Sequence, residues 1–235
     1  MALEASIRVN FSKPIPLFPL DRVHLLPQQI VPLHIFEPRY RQMVTHALDG
    51  SGQIAMAMFD GRDWKKDYQG YPELRDAVCV GQIGQHERLP DGRFNVILQG
   101  VCRAKIIEES PRSSERLYRQ ALLQPIGFDD ADPEELTLIR SRLSSSLSAA
   151  PLHKLNVSKP ILDCARDSHI PTTALLELLG FTIINNNELR YKLLAEGDAI
   201  LRAEMIFNEL SQLTRLLHQA DRQRPQDWPK GCSWN

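Results

Sequence analysis

The chain has 235 residues, of which 43% are hydrophobic and 24% charged, a composition typical of globular proteins. Its 28 basic and 29 acidic residues nearly cancel, so it lacks the excess of Lys and Arg that binding to nucleic acid phosphates requires. Predominant disorder is excluded as well, because the apolar content is too high and the net charge too low.

Cysteine usage and the absence of export or membrane signals indicate a cytoplasmic protein. Cys79, Cys102, Cys164 and Cys232 lie far apart in the sequence, so no Cys-x-x-Cys pair supports a zinc site or a dithiol redox centre. The first residues contain no apolar segment of secretory length, and no run of about 18 apolar residues occurs anywhere. We therefore expect reduced thiols and no association with a membrane.

The first half of the chain alternates short apolar runs with Pro, Gly and Asp, a pattern typical of strands and turns. Residues 15–20 form the first run, and its prolines predict an edge strand because proline cannot donate to a central ladder. Residues 30–36 form a second run. Pro38 then begins an amphipathic helix that Gly50 ends, and residues 54–59 predict a buried strand.

A segment of different composition follows at residues 60–77. Trp64, Tyr68 and Tyr71 stand there among charged residues with neither helical nor strand periodicity, so we predict an irregular excursion. Aromatic rings in such a setting either form a contact surface or fold back to cover the sheet.

A β-hairpin has the sharpest local signal in the sequence. Residues 79–87 and 93–100 read as strands joined by Leu89-Pro90-Asp91-Gly92, in which Pro sets φ and Gly supplies a positive φ. Two further strands are predicted at residues 103–108 and 118–124.

Beyond residue 128 the apolar period becomes helical. Asp132-Pro133 begins one helix, Pro171 begins a short helix closed by Gly180, and Asn186 or Asn187 and then Asp198 cap two more. The predicted organisation has three parts: a β-rich subdomain over 1–128, a helical subdomain over 129–220 and a loose C-terminal tail over 221–235.

Signatures of catalysis are missing from the sequence. It contains no Gly-x-x-x-x-Gly-Lys-Ser/Thr loop for nucleotide phosphates and no Gly-x-Ser-x-Gly nucleophile elbow. No histidine pair has helical metal-ligand spacing, and Cys79 and Cys102 lie in apolar strands where buried thiols are the norm. We therefore predict no catalytic residue, no metal and no cofactor.

Several spaced blocks in the first half nevertheless resemble a known family, the N-terminal substrate-binding domain of Lon proteases. The blocks occur in the family's order, at residues 15–20, 25–27, 32–40, 80–83, 89–96 and 98–104. The resemblance implies an α+β fold: a curved β sheet or partial barrel with one helix, similar to PUA-like folds, followed by a helical subdomain.

Two departures from the family accompany this resemblance. Leu26-Pro27-Gln28 stands where the family usually has Phe-Pro-Gly, so we expect a changed backbone conformation at this turn. Neither a nucleotide loop nor a Ser/Lys peptidase motif follows the domain. The chain is therefore expected to be a free-standing Lon-type domain and not a protease.

The resemblance also implies a function, the binding of unfolded or partly folded polypeptides, with the protein acting as an adaptor for a separate ATP-dependent protease. Such clients require exposed apolar or aromatic surface. The candidate contact residues are Trp64, Tyr68, Tyr71, Phe36 and Tyr40, although for Phe36 and Tyr40 core packing behind the first helix is the favoured interpretation. An RNA-binding PUA-like module and an undetected hydrolase are the alternative hypotheses.

Overall fold

The computed structural model describes residues 7–21, 24–61, 63–68, 71–127 and 131–222. These residues form a mixed six-stranded sheet and six α-helices, which confirms the predicted α+β class. The chain divides into two compact units. The first comprises residues 1–129 and 185–197, and the second comprises residues 130–184 and 198–235.

The sheet of the first unit has the order β2-β5-β4-β3-β1-β6. Its strands are β1 (Ile15–Leu20), β2 (Ile30–Ile35), β3 (Gln53–Met58), β4 (Ala77–Arg88), β5 (Phe94–Glu109) and β6 (Arg119–Pro125). β1 and β3 pair in parallel, and the other pairings are antiparallel. Because β5 pairs with β6 as well as with β2 and β4, the sheet curves back on itself, although it is not a regular barrel.

The prediction that residues 15–20 form an edge strand is wrong, since β1 lies between β3 and β6. The two pairings cover different parts of the strand. β6 pairs with residues 15–17 and β3 pairs with residues 17–20. Pro16 and Pro19 therefore each have a neighbouring strand on one side only, which is the position that a proline tolerates in a sheet.

The β4–β5 hairpin confirms the predicted turn. Gly92 has φ +81°, and its N–H donates to the carbonyl of Leu89 at 2.9 Å. The strands predicted at 93–100 and 103–108 are instead one continuous strand, β5, of 16 residues. Gly100 lies within this strand. The position requires glycine, because a Cβ there would come within 2.1 Å of the Leu26 carbonyl oxygen.

Helix α1 (Pro38–Leu48) packs on β1 and β3 with its predicted apolar stripe. Pro38 occupies the first turn, where its missing N–H costs nothing. Tyr40, Met43 and Val44 are buried against the sheet. Glu37 immediately precedes the helix, and Arg39 lies in its first turn. The start of the helix therefore places both residues next to the end of β2.

The first unit also includes α5 (Asn187–Ala195), a helix from the second half of the chain. Tyr191 accepts a hydrogen bond from the Ala77 N–H at 3.0 Å, and Arg103 donates to the Leu193 carbonyl at 3.2 Å. The division of the chain therefore differs from the predicted one at residues 185–197. Helical periodicity identifies a helix, but it does not say which core the helix packs against.

The second unit consists of helices around a leucine-rich core. They are α2 (Pro133–Ser148), α3 (Ser158–Arg166), α4 (Thr172–Thr182) and α6 (Ala199–Arg222). Asp132 caps α2 as predicted, with its carboxylate accepting from the Glu134 N–H at 2.9 Å. Gly180 is buried inside α4 and does not end it. Most of the predicted loose tail, residues 223–235, lies outside the described residues.

None of the helices in the described ranges combines the length and the apolar character that crossing a bilayer requires.

Candidate functional site

A cavity of about 650 Å³ opens on the first unit and is lined mainly by apolar groups. Six aromatic side chains contribute to its walls: Phe18, Phe36, Tyr40, Phe59, Trp64 and Tyr68. We call it the apolar cavity. Its volume is within the range of sites that bind small molecules or a few side chains of a partner.

One side of the apolar cavity belongs to the core of the sheet. Tyr40 is only 4% exposed, its ring meets Phe18 edge-on at 4.7 Å, and its hydroxyl lies 3.5 Å from the Pro19 carbonyl oxygen. Phe36 differs from these residues because 60% of it is exposed at the end of β2. Tyr40 thus forms part of the floor, and Phe36 offers open apolar surface.

The opposite side is formed by residues 63–68, which we call the aromatic segment and which includes a 3₁₀ turn over Asp63–Asp67. The Trp64 ring stacks on Phe59 with centroids 4.7 Å apart and an interplanar angle of 6°. The ring centroid of Tyr68 lies 5.7 Å from that of Trp64. The segment is therefore folded onto the residue that follows β3, and Trp64 and Tyr68 remain partly exposed.

Polar contacts from α1 hold the aromatic segment at Tyr68. The Tyr68 hydroxyl donates to Glu37 Oε1 at 2.6 Å, and Arg39 Nη1 donates to the Tyr68 carbonyl at 3.2 Å. Arg39 Nη2 lies 3.0 Å from Glu37 Oε2, and the guanidinium lies 4.4 Å from the Tyr68 ring centroid. Burial raises the pKa of Tyr68, and the hydrogen bond to Glu37 raises it further, so the hydroxyl remains a donor at neutral pH.

Tyr71 lines a neighbouring cavity of about 420 Å³, together with Leu117 and Tyr118. The guanidinium of Arg112 lies 3.8 Å from the Tyr71 ring centroid, and that of Arg119 lies 5.0 Å from it. The structure thus brings together Phe36, Tyr40, Trp64 and Tyr68 around the apolar cavity and places Tyr71 beside it.

Two features of the site are missing from the candidates chosen by sequence. Phe59 is the ring on which Trp64 stacks, but in the sequence it reads only as the end of a buried strand. Glu37 and Arg39 belong to the block at residues 32–40, which in the sequence indicates only the family resemblance and the start of a helix. A long-range hydrogen bond to Tyr68 has no local signal.

A metal centre and a reactive cysteine are two chemistries on which the described residues bear. Within the ranges that the structure describes, no three His, Cys, Asp or Glu side chains are grouped so as to hold a metal ion. Burial raises the pKa of the Cys102 thiol to about 11, so this cysteine is protonated at neutral pH and a poor nucleophile.

The backbone at the departure from the family motif is unusual. Gln28 has φ +66°, in the left-handed region that favours glycine, and its N–H donates to the Gly100 carbonyl at 2.8 Å. Gln28 thus adopts a backbone conformation that is typical of glycine, at a cost in strain. The value of φ at Gln28 therefore gives no sign of the changed backbone conformation expected from the sequence.

Comparisons with known proteins identify the class of domain to which the curved sheet belongs. The family model of the ATP-dependent protease La (LON) substrate-binding domain matches residues 14–212. The chain belongs to this family.

Solved structures share the fold. The N-terminal domain of the Mycobacterium avium complex Lon protease superposes with a TM-score of 0.64 and 18% identity, covering 85% of this chain and 98% of that one. A Lon N-terminal domain protein from Xanthomonas campestris gives a TM-score of 0.57 at 18% identity, covering 83% and 98%. At this identity the likeness is one of fold.

Curated relatives are full-length Lon proteases of which the chain spans only a part. Lon protease 1 of Syntrophobacter fumaroxidans is 23% identical over 209 residues, which cover 88% of this chain and 25% of that protein. The Lon protease of Campylobacter concisus is 30% identical over 102 residues, covering 43% and 12%. The match is thus confined to the substrate-binding portion.

Proposed function

We propose that the protein binds unfolded or partly folded polypeptide segments in the apolar cavity and catalyses no reaction itself. The observation that supports this most directly is the grouping of Phe36, Trp64 and Tyr68 as accessible aromatic surface around a concave site. Segments that expose core residues would bury those side chains against these rings.

The expected affinity is modest. A cavity of about 650 Å³ holds only a few side chains, and an unfolded client loses conformational entropy when it is ordered. We therefore expect a dissociation constant in the micromolar range or weaker, on the order of −8 kcal/mol or less favourable.

We further propose adaptor work: the protein would present bound polypeptide to a separate ATP-dependent protease in the cytoplasm. The family relationship supports this idea, because the relatives named above are Lon proteases in which the matched portion accompanies much more chain. Co-purification of such a protease from the native cells, dependent on Trp64, would test it.

RNA binding by a PUA-like module is the alternative. Of the two arginines near Tyr71, Arg119 does not favour it because it is paired with Glu109 at 2.7 Å, and the chain as a whole is nearly neutral. A gel shift that weakens with salt would support this alternative.

Binding to a labelled, reduced and alkylated model protein tests the main proposal. Trp64→Ala and Phe36→Ala should each weaken binding about tenfold. Leu216→Ala is a matched control, because Leu216 in α6 is 61% exposed and Phe36 is 60% exposed. No retention of the unfolded protein by the wild type, or equal loss in all three variants, would refute the proposal.

A further inference from the structure

Arg39 lies outside the apolar cavity but contacts one of its walls. It lines the neighbouring cavity instead, whereas Glu37 and Tyr40 line both. Substitution of Arg39 would therefore remove no surface from the apolar cavity itself. Any effect of Arg39 on binding there must act through another residue.

The Arg39 guanidinium lies 4.6 Å from the centroid of the buried Tyr40 ring, and its other contacts converge on Tyr68 and Glu37. Its Nη1 donates to the Tyr68 carbonyl at 3.2 Å, and its guanidinium lies over the Tyr68 ring at 4.4 Å. Its Nε donates to Glu37 Oε2 at 3.1 Å, while the other oxygen of Glu37 accepts from the Tyr68 hydroxyl at 2.6 Å. One guanidinium thus holds the backbone and ring of Tyr68 and orients the carboxylate that binds its hydroxyl.

These groups come from two elements that are separate in the sequence. Glu37 and Arg39 are placed by the start of α1, whose next residue, Tyr40, is buried in the core. Tyr68 lies at the end of the aromatic segment, and Trp64 lies on the same segment. The helix is the better-anchored partner, so the contacts position the segment relative to the helix.

Trp64 depends on this arrangement. Within the described residues, its ring contacts are the stack on Phe59 and the contacts with Tyr68 and Lys65, the last two of which move with the segment. Releasing Tyr68 would leave the Phe59 stack as the ring contact between Trp64 and the sheet. A single stack of this kind is a weak restraint.

We propose that Arg39 is a positioning residue: together with Glu37 it holds the aromatic segment so that Trp64 forms one wall of the apolar cavity. This inference rests on the proposed function of that cavity. A planar guanidinium suits the role, because it stacks on a ring and donates in several directions at once, whereas an ammonium group does not.

Two variants and a matched control define the experiment. Arg39→Ala removes all the contacts, and Arg39→Lys keeps the charge without the fork. Arg75→Ala is the control, because Arg75 also stacks on a tyrosine, at 3.5 Å from the Tyr191 ring, and pairs with Glu188 at 2.9 Å, but lines neither cavity. Each change is made in a Trp228→Phe, Trp234→Phe background, in which Trp64 is the only tryptophan.

Two readouts are needed, binding of the labelled unfolded protein and quenching of Trp64 fluorescence by acrylamide. Arg39→Ala should weaken binding about fivefold and increase quenching, with Arg39→Lys intermediate and Arg75→Ala unchanged in both. Increased quenching in the folded protein indicates that Trp64 has been released locally. Urea unfolding, measured separately, reports any general loss of stability, which by itself would not increase quenching of the folded protein.

The outcomes separate the two proposals. If Trp64→Ala weakens binding but Arg39→Ala changes neither binding nor quenching, the positioning role is wrong and the proposed function stands. Weaker binding by Arg39→Ala without increased quenching also overturns the positioning role. If the wild type does not bind the unfolded protein, both proposals fail.

Discussion

The two sides of the apolar cavity are built in different ways. The sheet side consists of core residues such as Phe18 and Tyr40, which are 5% and 4% exposed and are fixed by strand pairing and by α1. Among the described residues, the aromatic segment is held by the ring contacts of Trp64 and Tyr68 with Phe59 and by the contacts of Tyr68 with Glu37 and Arg39. Substitution of a core residue on the first side should cost stability, and substitution in the aromatic segment should cost binding.

The largest expected effect on stability is at Tyr40. Tyr40→Ala should lower the free energy of unfolding by about 3–5 kcal/mol, because it leaves a cavity under α1. Urea unfolding followed by circular dichroism measures this change. Tyr40→Phe is the control and should cost no more than about 1 kcal/mol, since the ring stays and the hydroxyl loses only its long hydrogen bond to Pro19 and its interaction with Tyr68. Similar losses in both variants would mean that the ring does not fill the core.

Trp64→Ala should affect binding more than stability. We expect a loss of about 1–2 kcal/mol in unfolding free energy, because the ring is only partly buried and stacks on Phe59. The same unfolding experiment measures it, beside the binding assay. A loss as large as that of Tyr40→Ala would show that the aromatic segment is part of the core and would remove the contrast between the two sides.

Alkaline pH provides a finer comparison of the two sides. Burial raises the pKa of Tyr40 far above its ordinary value, and burial raises that of Tyr68 as well. A raised pKa in the folded state contributes stability that is complete below the unfolded value of about 10 and is lost as the pH rises through the folded value. Stability should therefore fall from about pH 10 upward.

Tyr40→Phe should reduce this alkaline loss by up to about 1.4 kcal/mol per pH unit, one proton's worth, and Tyr68→Phe should reduce it less. The Cys102 thiol, whose raised pKa is about 11, and the raised pKa values of Tyr118 and Tyr191 add to the same alkaline loss, and they contribute equally in both variants. Urea unfolding at a series of pH values between 9 and 11 gives the slopes. A steeper dependence on Tyr68 than on Tyr40 would contradict the assignment of the more buried hydroxyl to the sheet side.

The elements that sequence predicts well are those with local causes. Pro38 in the first turn fixes the start of α1, and Gly92 at φ +81° closes the β4–β5 hairpin. Strand order and helix placement depend on distant partners. Residues 17–20 pair with β3 beyond α1, and Tyr191 meets Ala77 from more than a hundred positions away, so neither the interior position of β1 nor the unit to which α5 belongs follows from periodicity.

The candidate site shows the same limit. Composition alone singles out Trp64, Tyr68 and Tyr71 as aromatic residues in a charged segment. It cannot separate Tyr71, which lies under Arg112, from Trp64, which lies on Phe59. The spacing of a segment without regular structure does not determine which surface each ring reaches, and that is decided by long-range contacts.

The smallest expected effect on stability concerns Gln28, in the turn before β2. The last residues of β2 line the sheet side of the apolar cavity. Gln28→Gly should raise the free energy of unfolding by about 0.5–1 kcal/mol, because relief of the left-handed strain at φ +66° outweighs the added freedom of the unfolded chain. Binding of unfolded protein should not change, since Gln28 is exposed and lines neither cavity. Urea unfolding and the binding assay together measure this. Lower stability, or altered binding, would mean that the Gln28 side chain itself supports the sheet side, and the two sides would then be less distinct than their contacts indicate.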